Sequence, residues 1–185
     1  MELKQAITGR RSIRKYKSTP VSQEQVESVL EAARQAPSWA NTQCACFVVV
    51  RDSQTKNKLA ETLAQWNPAT EAVKMAPVVI VACAEIGKSG YYRDKPQTDK
   101  GDYWFMFDVA LALHNLTLVA YEMGLGTVHV GLFDAQKAAQ VIGVPKGMAV
   151  VELMPLGYPD EQPPARPRKE LSEIVFYEKY GQTKK

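Results

Sequence analysis

Apolar positions recur at helical spacing over residues 22–35, where Val26, Val29, Leu30 and Ala33 share one face. Ser22 and Gln25 supply the two ends of a capping box, and Pro37 stops the helix. A short helix is expected over 2–8, before Gly9. Phe47-Val48-Val49-Val50 reads as a buried strand, and 54–66 as a second helix with Leu59 and Leu63 on one side. Pro77 to Cys83 is apolar throughout, which predicts a strand covered on both faces. Residues 86–101 are polar and punctuated by Gly87, Gly90, Pro96 and Gly101, the signature of a loop or lid. Asp102 to Met123 is apolar nearly all round, which suits a helix buried in the core or in a dimer interface, and Gly124 stops it. Thr127 to Val130 is short and extended. Asp134 caps a helix that ends before Gly143-Val144-Pro145. Met148 to Leu156 is a further strand, the proline-rich 157–169 is irregular, and Ile174 to Tyr177 forms a late strand added to the sheet. With no internal repeat and no linker, residues 1–185 are expected to form one α+β or α/β layered domain.

Composition keeps the chain among soluble globular proteins, with 45% apolar and 23% charged residues. No uninterrupted apolar run approaches the roughly 18 residues a membrane span needs. The opening MELKQAITGRRS lacks the apolar core of a secretory signal, and three cysteines make no disulfide framework. A reducing, cytoplasmic location is expected. Charge changes the picture more. Residues 1–17 carry six Lys/Arg against Glu2, and 164–185 carry six against Glu170, Glu173 and Glu178. The middle holds 11 cations and 16 acids, within a net charge of +3. The two basic ends either meet as one anion site or remain two solvated tails. Net +3 over an acidic body leaves no broad basic face for nucleic acid.

Four segments carry candidate chemistry. In Ser12-Ile13-Arg14-Lys15-Tyr16, alternation turns Ile13 inward; guanidinium groups grip phosphate through paired charge-assisted hydrogen bonds, and Ser12 can donate another. A single phosphate ester is a better-sized target than a polynucleotide. Ala36 to Gln43 joins a helix to a strand. Asn41 and Gln43 carry the donors and acceptors to pair with a heterocycle edge, although Pro37, Ser38 and Asn41 are also ordinary turn residues. Gly124 to Gly131 is glycine-punctuated without the spacing of a dinucleotide fingerprint, and Gly131 lets backbone approach a flat ring. In Arg166-Pro167-Arg168, proline holds the backbone extended, so that both arginines can face one side.

Taken in order, RRSIRKY at 10–16, APSWANTQ at 36–43, GLGT…VGLFD at 124–134 and RPRKELSEIV at 166–175 resemble the nitroreductase family of flavin enzymes from end to end. The resemblance implies a three-layer α/β/α fold with a central mixed sheet and a long apolar helix at a homodimer interface. It also implies an FMN site between the two subunits. By position, Arg10, Arg11, Ser12 and Arg14 would hold the phosphate, the ribityl chain and the pyrimidine side of the ring. Arg166 and Arg168 would close on the phosphate. Pro37, Ser38, Trp39, Asn41 and Gln43 belong to the loop that would reach the partner's flavin. Val128, His129, Val130 and Gly131 would lie beside the reactive N5. The implied activity uses NADH or NADPH to reduce nitroaromatics, quinones or related small electrophiles by ping-pong kinetics, with no obligatory acid or base side chain. Arg14 would stabilise the reduced ring. Independently of the resemblance, the length and aromatic content of 86–101, with Tyr91, Tyr92 and Arg93, suit a lid that shapes substrate choice. A flavoenzyme with another task, such as metabolite dehydrogenation or dehalogenation, and a non-catalytic flavin-binding redox sensor are the alternatives.

The chain departs from the family pattern in two places. Cys44-Ala45 stands where relatives often have Pro-Trp, and GTVHVG stands for GTCWIG, so that His129 replaces an aromatic. His129 either touches substrate or ring, or packs and hydrogen-bonds locally. Cys44 and Cys46, at i and i+2, are expected on one strand face as buried small hydrophobes. His114 is expected to be structural, and no spacing suits a metal.

Overall fold

The computed structural model describes residues 1–183. Lys184 and Lys185, two cations of the basic tail, lie outside the described residues. The helices are α1 (Leu3–Gly9), α2 (Gln23–Arg34), α3 (Ser53–Ala60), α4 (Thr70–Met75), α5 (Trp104–Glu122), α6 (Ala135–Ile142) and α7 (Leu171–Ile174). The strands are β1 (Ala45–Val50), β2 (Val78–Glu85), β3 (Tyr91–Tyr92), β4 (Lys95–Pro96), β5 (Gly126–Thr127) and β6 (Met148–Gly157).

The main sheet has the order β1-β2-β6-β5 with antiparallel neighbours. Its mixed character rests on one parallel bridge, between Ser12 and Thr127. Strand β2 divides the core. Val78, Ile80, Ala82 and Ala84 face α2 and α5, packing with Val26, Val29, Leu113 and Leu116. Val79, Val81 and Cys83 face the other way, packing with Leu59, Val73 and Ala138 of α3, α4 and α6. Three α/β/α layers result, and the unbroken apolar run of β2 is explained by cover on both sides. Each large aliphatic side chain removed from water here contributes about 1.5–3 kcal/mol.

Local signals act as expected at several ends. Ser22 and Gln25 complete the capping box of α2. The Asp134 carboxylate accepts the Lys137 N–H at the start of α6, and Gly143 closes that helix in the left-handed region. α5 has a mean hydropathy of 1.3. Its Val109, Ala112, Leu113 and Leu116 side are core, which is the place of a core helix rather than of an isolated span.

Other elements differ from the sequence reading. α3 ends at Ala60 rather than 66, because the Thr62 hydroxyl returns to the Leu59 carbonyl and Leu63 bridges to Phe133. α4 is an additional helix. Ile174 to Tyr177 forms no strand: residues 171–174 close as a helical turn, boxed by Glu170 and Glu173. The segment 86–101 contains the β3–β4 hairpin, turned by Arg93 and Asp94 at positive φ. His114 is exposed. The two cysteines do not share a face. Cys44 is buried among the α2–α5 core, whereas Cys46 is exposed and pairs across β1–β2 with Cys83 of the opposite core.

Candidate functional site

The segment 10–17 is held at both sides. The Ile13 N–H donates to the Thr127 carbonyl at 2.9 Å, and the Lys17 N–H to Tyr158 at 2.9 Å. The Asp160 N–H returns to the Lys15 carbonyl at 2.9 Å. The Glu161 carboxylate accepts the N–H groups of both Arg14 and Lys15. Buried Ile13 anchors the inward face, as its alternation predicts. The Tyr16 hydroxyl donates to the Ile13 carbonyl at 2.6 Å. Burial first, and the Glu161 charge second, push this phenol well above its usual range, so it is a neutral donor that fixes the strand.

These contacts bring 10–14 against 163–168. Together they line a cleft of about 650 Å³ that contains Arg10, Arg11, Ser12, Arg14, Arg166 and Arg168. Of the two alternatives for the basic ends, the structure therefore brings them together. Arg11 donates to the Thr8 and Arg10 carbonyls at 2.7 and 2.8 Å, and Arg168 to the Arg166 and Pro167 carbonyls at 3.2 and 3.3 Å. Among the described residues none of the five guanidiniums forms an ion pair. Glu161, the nearby acid, is engaged with backbone N–H groups instead. Five like charges around one concavity repel each other unless an anion enters, and a phosphate dianion with several acceptor oxygens fits that donor set.

The Ser12–Thr127 bridge connects this cleft to the stretch 127–131. Gly126 is required there: a Cβ would fall 2.6 Å from Ile13 Cγ1 and 2.8 Å from Ile13 Cβ. Val128 and Val130 are 2% exposed, with their side chains in the core, so they can offer a ligand only backbone. Gly131 is different, since a Cβ there would meet nothing within 4 Å. That open space has room for a flat ring against the backbone. His129 lies between them with both ring nitrogens engaged: Nδ1 is 2.6 Å from Glu152 Oε1, and Nε2 is 3.4 Å from Thr117 Oγ1. Nδ1–H donates to the carboxylate, while the Thr117 hydroxyl beside Nε2 also lies 3.9 Å from Met154 Sδ. These contacts are local, and the His129 side chain stays 40% exposed beside them.

The loop 37–43 lies elsewhere. Pro37, Ser38 and Gln43 line a second cavity of about 350 Å³, which shares no lining residue with the arginine cleft. Trp39 and Asn41 line neither. Ala40, Asn41 and Gln43 have φ of 46°, 55° and 50°, three left-handed positions without glycine, with Thr42 right-handed between them. For residues other than Asn such backbone costs about 1–3 kcal/mol each and persists only where the surroundings over-determine it. Here the Ser38 hydroxyl accepts the Gln43 N–H at 2.9 Å, and the Asp108 carboxylate accepts the Trp39 N–H at 3.1 and 3.2 Å. The Cys44 thiol sits 3.5 Å from Asp108 Oδ2. Burial, reinforced by the Asp108 charge, pushes that thiol up to about 12, so it is a neutral donor. Asp108 and Glu161 both escape sequence reasoning. One sits unmarked in an apolar helix and the other in a proline-rich stretch, and neither has a motif.

Comparison with known proteins follows the same outline. The nitroreductase family model matches residues 7–158. The NADH dehydrogenase of Thermus thermophilus is 31% identical, with 96% of each chain covered. The FMN reductase (NAD(P)H) of Bacillus subtilis is 29% identical over 97% of this chain and 74% of its own. The NADPH:FMN oxidoreductase of Vibrio harveyi, solved in complex with NAD+, superposes with a TM-score of 0.84 at 28% identity, covering 98% of this chain and 79% of that one. With the arginine cleft, the bridged 127–131 stretch and the three-layer frame in matching order, this chain belongs to the nitroreductase family.

Proposed function

We propose that this chain is an NAD(P)H-dependent flavin oxidoreductase that holds FMN and reduces nitroaromatics, quinones or related small electrophiles by ping-pong kinetics. The observation that carries this reading is the convergence of Arg10, Arg11, Arg14, Arg166 and Arg168 on one cleft with no ion-pair partner among the described residues. Arg166 and Arg168 grip the phosphate from one side. Arg10, Arg11 and Ser12 take the phosphate and ribityl chain from the other, and Arg14 faces the pyrimidine side. Bound there, FMN supplies a ring that accepts hydride from NADH or NADPH and delivers electrons to the second substrate. The guanidinium of Arg14 stabilises negative charge on that ring. Core-anchored Val128 and Val130 keep the backbone before Gly131 rigid, and the open face of Gly131 admits the ring edge. His129 supports the strand through Glu152 and Thr117.

The working unit is a homodimer. Leu171, Ile174, Tyr177 and Tyr180 form an apolar arm exposed to water in one chain, and β1 is an edge strand of the main sheet. Tyr103, Met106 and Phe107 add an exposed apolar patch at the start of α5. Such surface is what a second copy covers. In the dimer the 37–43 loop, with Pro37, Ser38, Trp39, Asn41 and Gln43, reaches the partner's flavin. The three free thiols suit the reducing cytoplasm, where we place this single-domain enzyme. The test is the spectrum of purified protein supplied with FMN, followed by anaerobic addition of NADH or NADPH. Oxidised-flavin bands that bleach on addition are expected. Colourless protein that takes up no FMN refutes the reading.

A further inference from the structure

We propose that Asp108 is a positioning residue for the flavin site: by holding the Trp39 amide it locks the 38–43 loop in the shape that presents Ser38 and Asn41. The inference rests on the reading that this loop meets a flavin. Asp108 is 3% exposed and has no ion-pair partner among the described residues. Burying a carboxylate without a cation is costly, so its donors must matter. The donors are all local to the loop. The Trp39 N–H lies 3.1 and 3.2 Å from the two oxygens, and the Cys44 thiol lies 3.5 Å from Oδ2. Asp108 thus contacts the residues on either side of the segment that holds the left-handed Ala40, Asn41 and Gln43. Its own platform is stiff, because the adjoining Val109, Ala112 and Leu113 are core residues of a 19-residue helix.

The clamp has a chemical consequence at Ser38. The hydroxyl oxygen accepts the Gln43 N–H at 2.9 Å, so the hydroxyl proton is left to donate to a ligand. Released from Asp108, the Trp39–Gln43 turn relaxes out of the left-handed region, and Ser38 loses that orientation.

The test compares the wild-type holoprotein with Asp108→Ala and Asp108→Asn. FMN dissociation is followed by recovery of flavin fluorescence, Trp39 amide exchange by NMR, and thermal melting alongside. Loss of a charge-assisted hydrogen bond is expected to weaken FMN binding about tenfold or more in the Ala variant. In the Asn variant, which keeps one acceptor, the loss is smaller, about threefold. Trp39 exchange accelerates in the same order. A lowered melting temperature with unaltered FMN affinity reports a merely structural carboxylate and overturns the proposal. Should the Ala variant not fold, the Asn variant decides: unaltered Trp39 exchange and affinity overturn it. If the wild type itself binds no FMN, the flavin reading has failed, while Trp39 exchange still shows whether Asp108 holds the loop.

Discussion

Two glycines five residues apart, Gly126 and Gly131, should respond oppositely to the same added methyl group. In Gly126→Ala the new Cβ would lie 2.6 Å from Ile13 Cγ1 and 2.8 Å from Ile13 Cβ. Comfortable carbon contacts are about 3.5–4.0 Å, so segment 10–17 must retreat by about 1 Å. Rotating the Ile13 side chain moves Cγ1 but not Cβ, so the backbone itself must give. That retreat stretches the Ile13 N–H bond to Thr127, now 2.9 Å, beyond useful range. Overpacking costs about 1–3 kcal/mol and the lost hydrogen bond about 0.5–1.5, together about 1.5–4.5 kcal/mol. Urea unfolding reads this directly. The same shift carries Arg10, Arg11 and Arg14 away from Arg166 and Arg168, so FMN affinity falls as well. In Gly131→Ala no atom beyond the residue and its two chain neighbours lies within 4 Å of the new Cβ. Its unfolding midpoint should stay within about 0.5 kcal/mol of wild type, while FMN binding weakens because the methyl occupies the ring's space. Wild-type stability in the first variant, or destabilisation in the second, would refute the packing account. An unweakened flavin in the second would remove the ring from Gly131.

Three further outcomes are expected. Arg168→Ala should weaken FMN retention by about 1.5–3 kcal/mol, roughly 10- to 150-fold in Kd by fluorescence titration, through loss of a charged hydrogen bond; full retention in dilute solution removes Arg168 from the phosphate. Burial pushes the Cys44 and Cys83 thiols up from their ordinary 9 to about 12. Below pH 9 both states keep the proton and stability is unaffected; between pH 9 and 12 the unfolded chain loses it first. Stability should therefore fall by up to about 1.4 kcal/mol per pH unit per thiol, and Cys44→Ala in urea titrations at pH 8 and 10 should flatten the slope. Truncation after Glu170 keeps the cleft arginines but removes the apolar arm, so sedimentation should show a weakened dimer; an unaltered dimer constant would take the arm out of the interface.

Much of the frame is legible because its signals are local. The β2 run carries its own evidence of cover on two sides, and the Ser22–Gln25 and Asp134–Gly143 pairs mark helix ends through hydrogen bonds between near neighbours. α4 escapes notice because it is only six residues long and its N-cap is Ala69, which has no side-chain cap to offer. α3 stops early for a reason far along the chain, the Leu63–Phe133 bridge. Ile174 to Tyr177 has the composition of a strand, but a strand needs an edge to pair with, and composition supplies none. In the site, the arginines announce themselves by density of charge, whereas their convergence depends on Glu161 and the Thr127 bridge. Asp108 becomes visible only when folding brings it to Trp39, 69 residues earlier.

The hydrogen bond between Arg14 and Glu161 spans 147 positions. During synthesis the arginine cleft therefore cannot close until residue 168 has emerged from the ribosome. Once both strands of the cleft are available, a bound phosphate ties them together like a removable cross-link, restricting a very long loop whose closure entropy grows only slowly with length. On the proposed FMN reading, loading would follow closure of the cleft. Protein made under flavin starvation should accumulate folded but loosely closed, ready to be tightened when the vitamin-derived nucleotide returns.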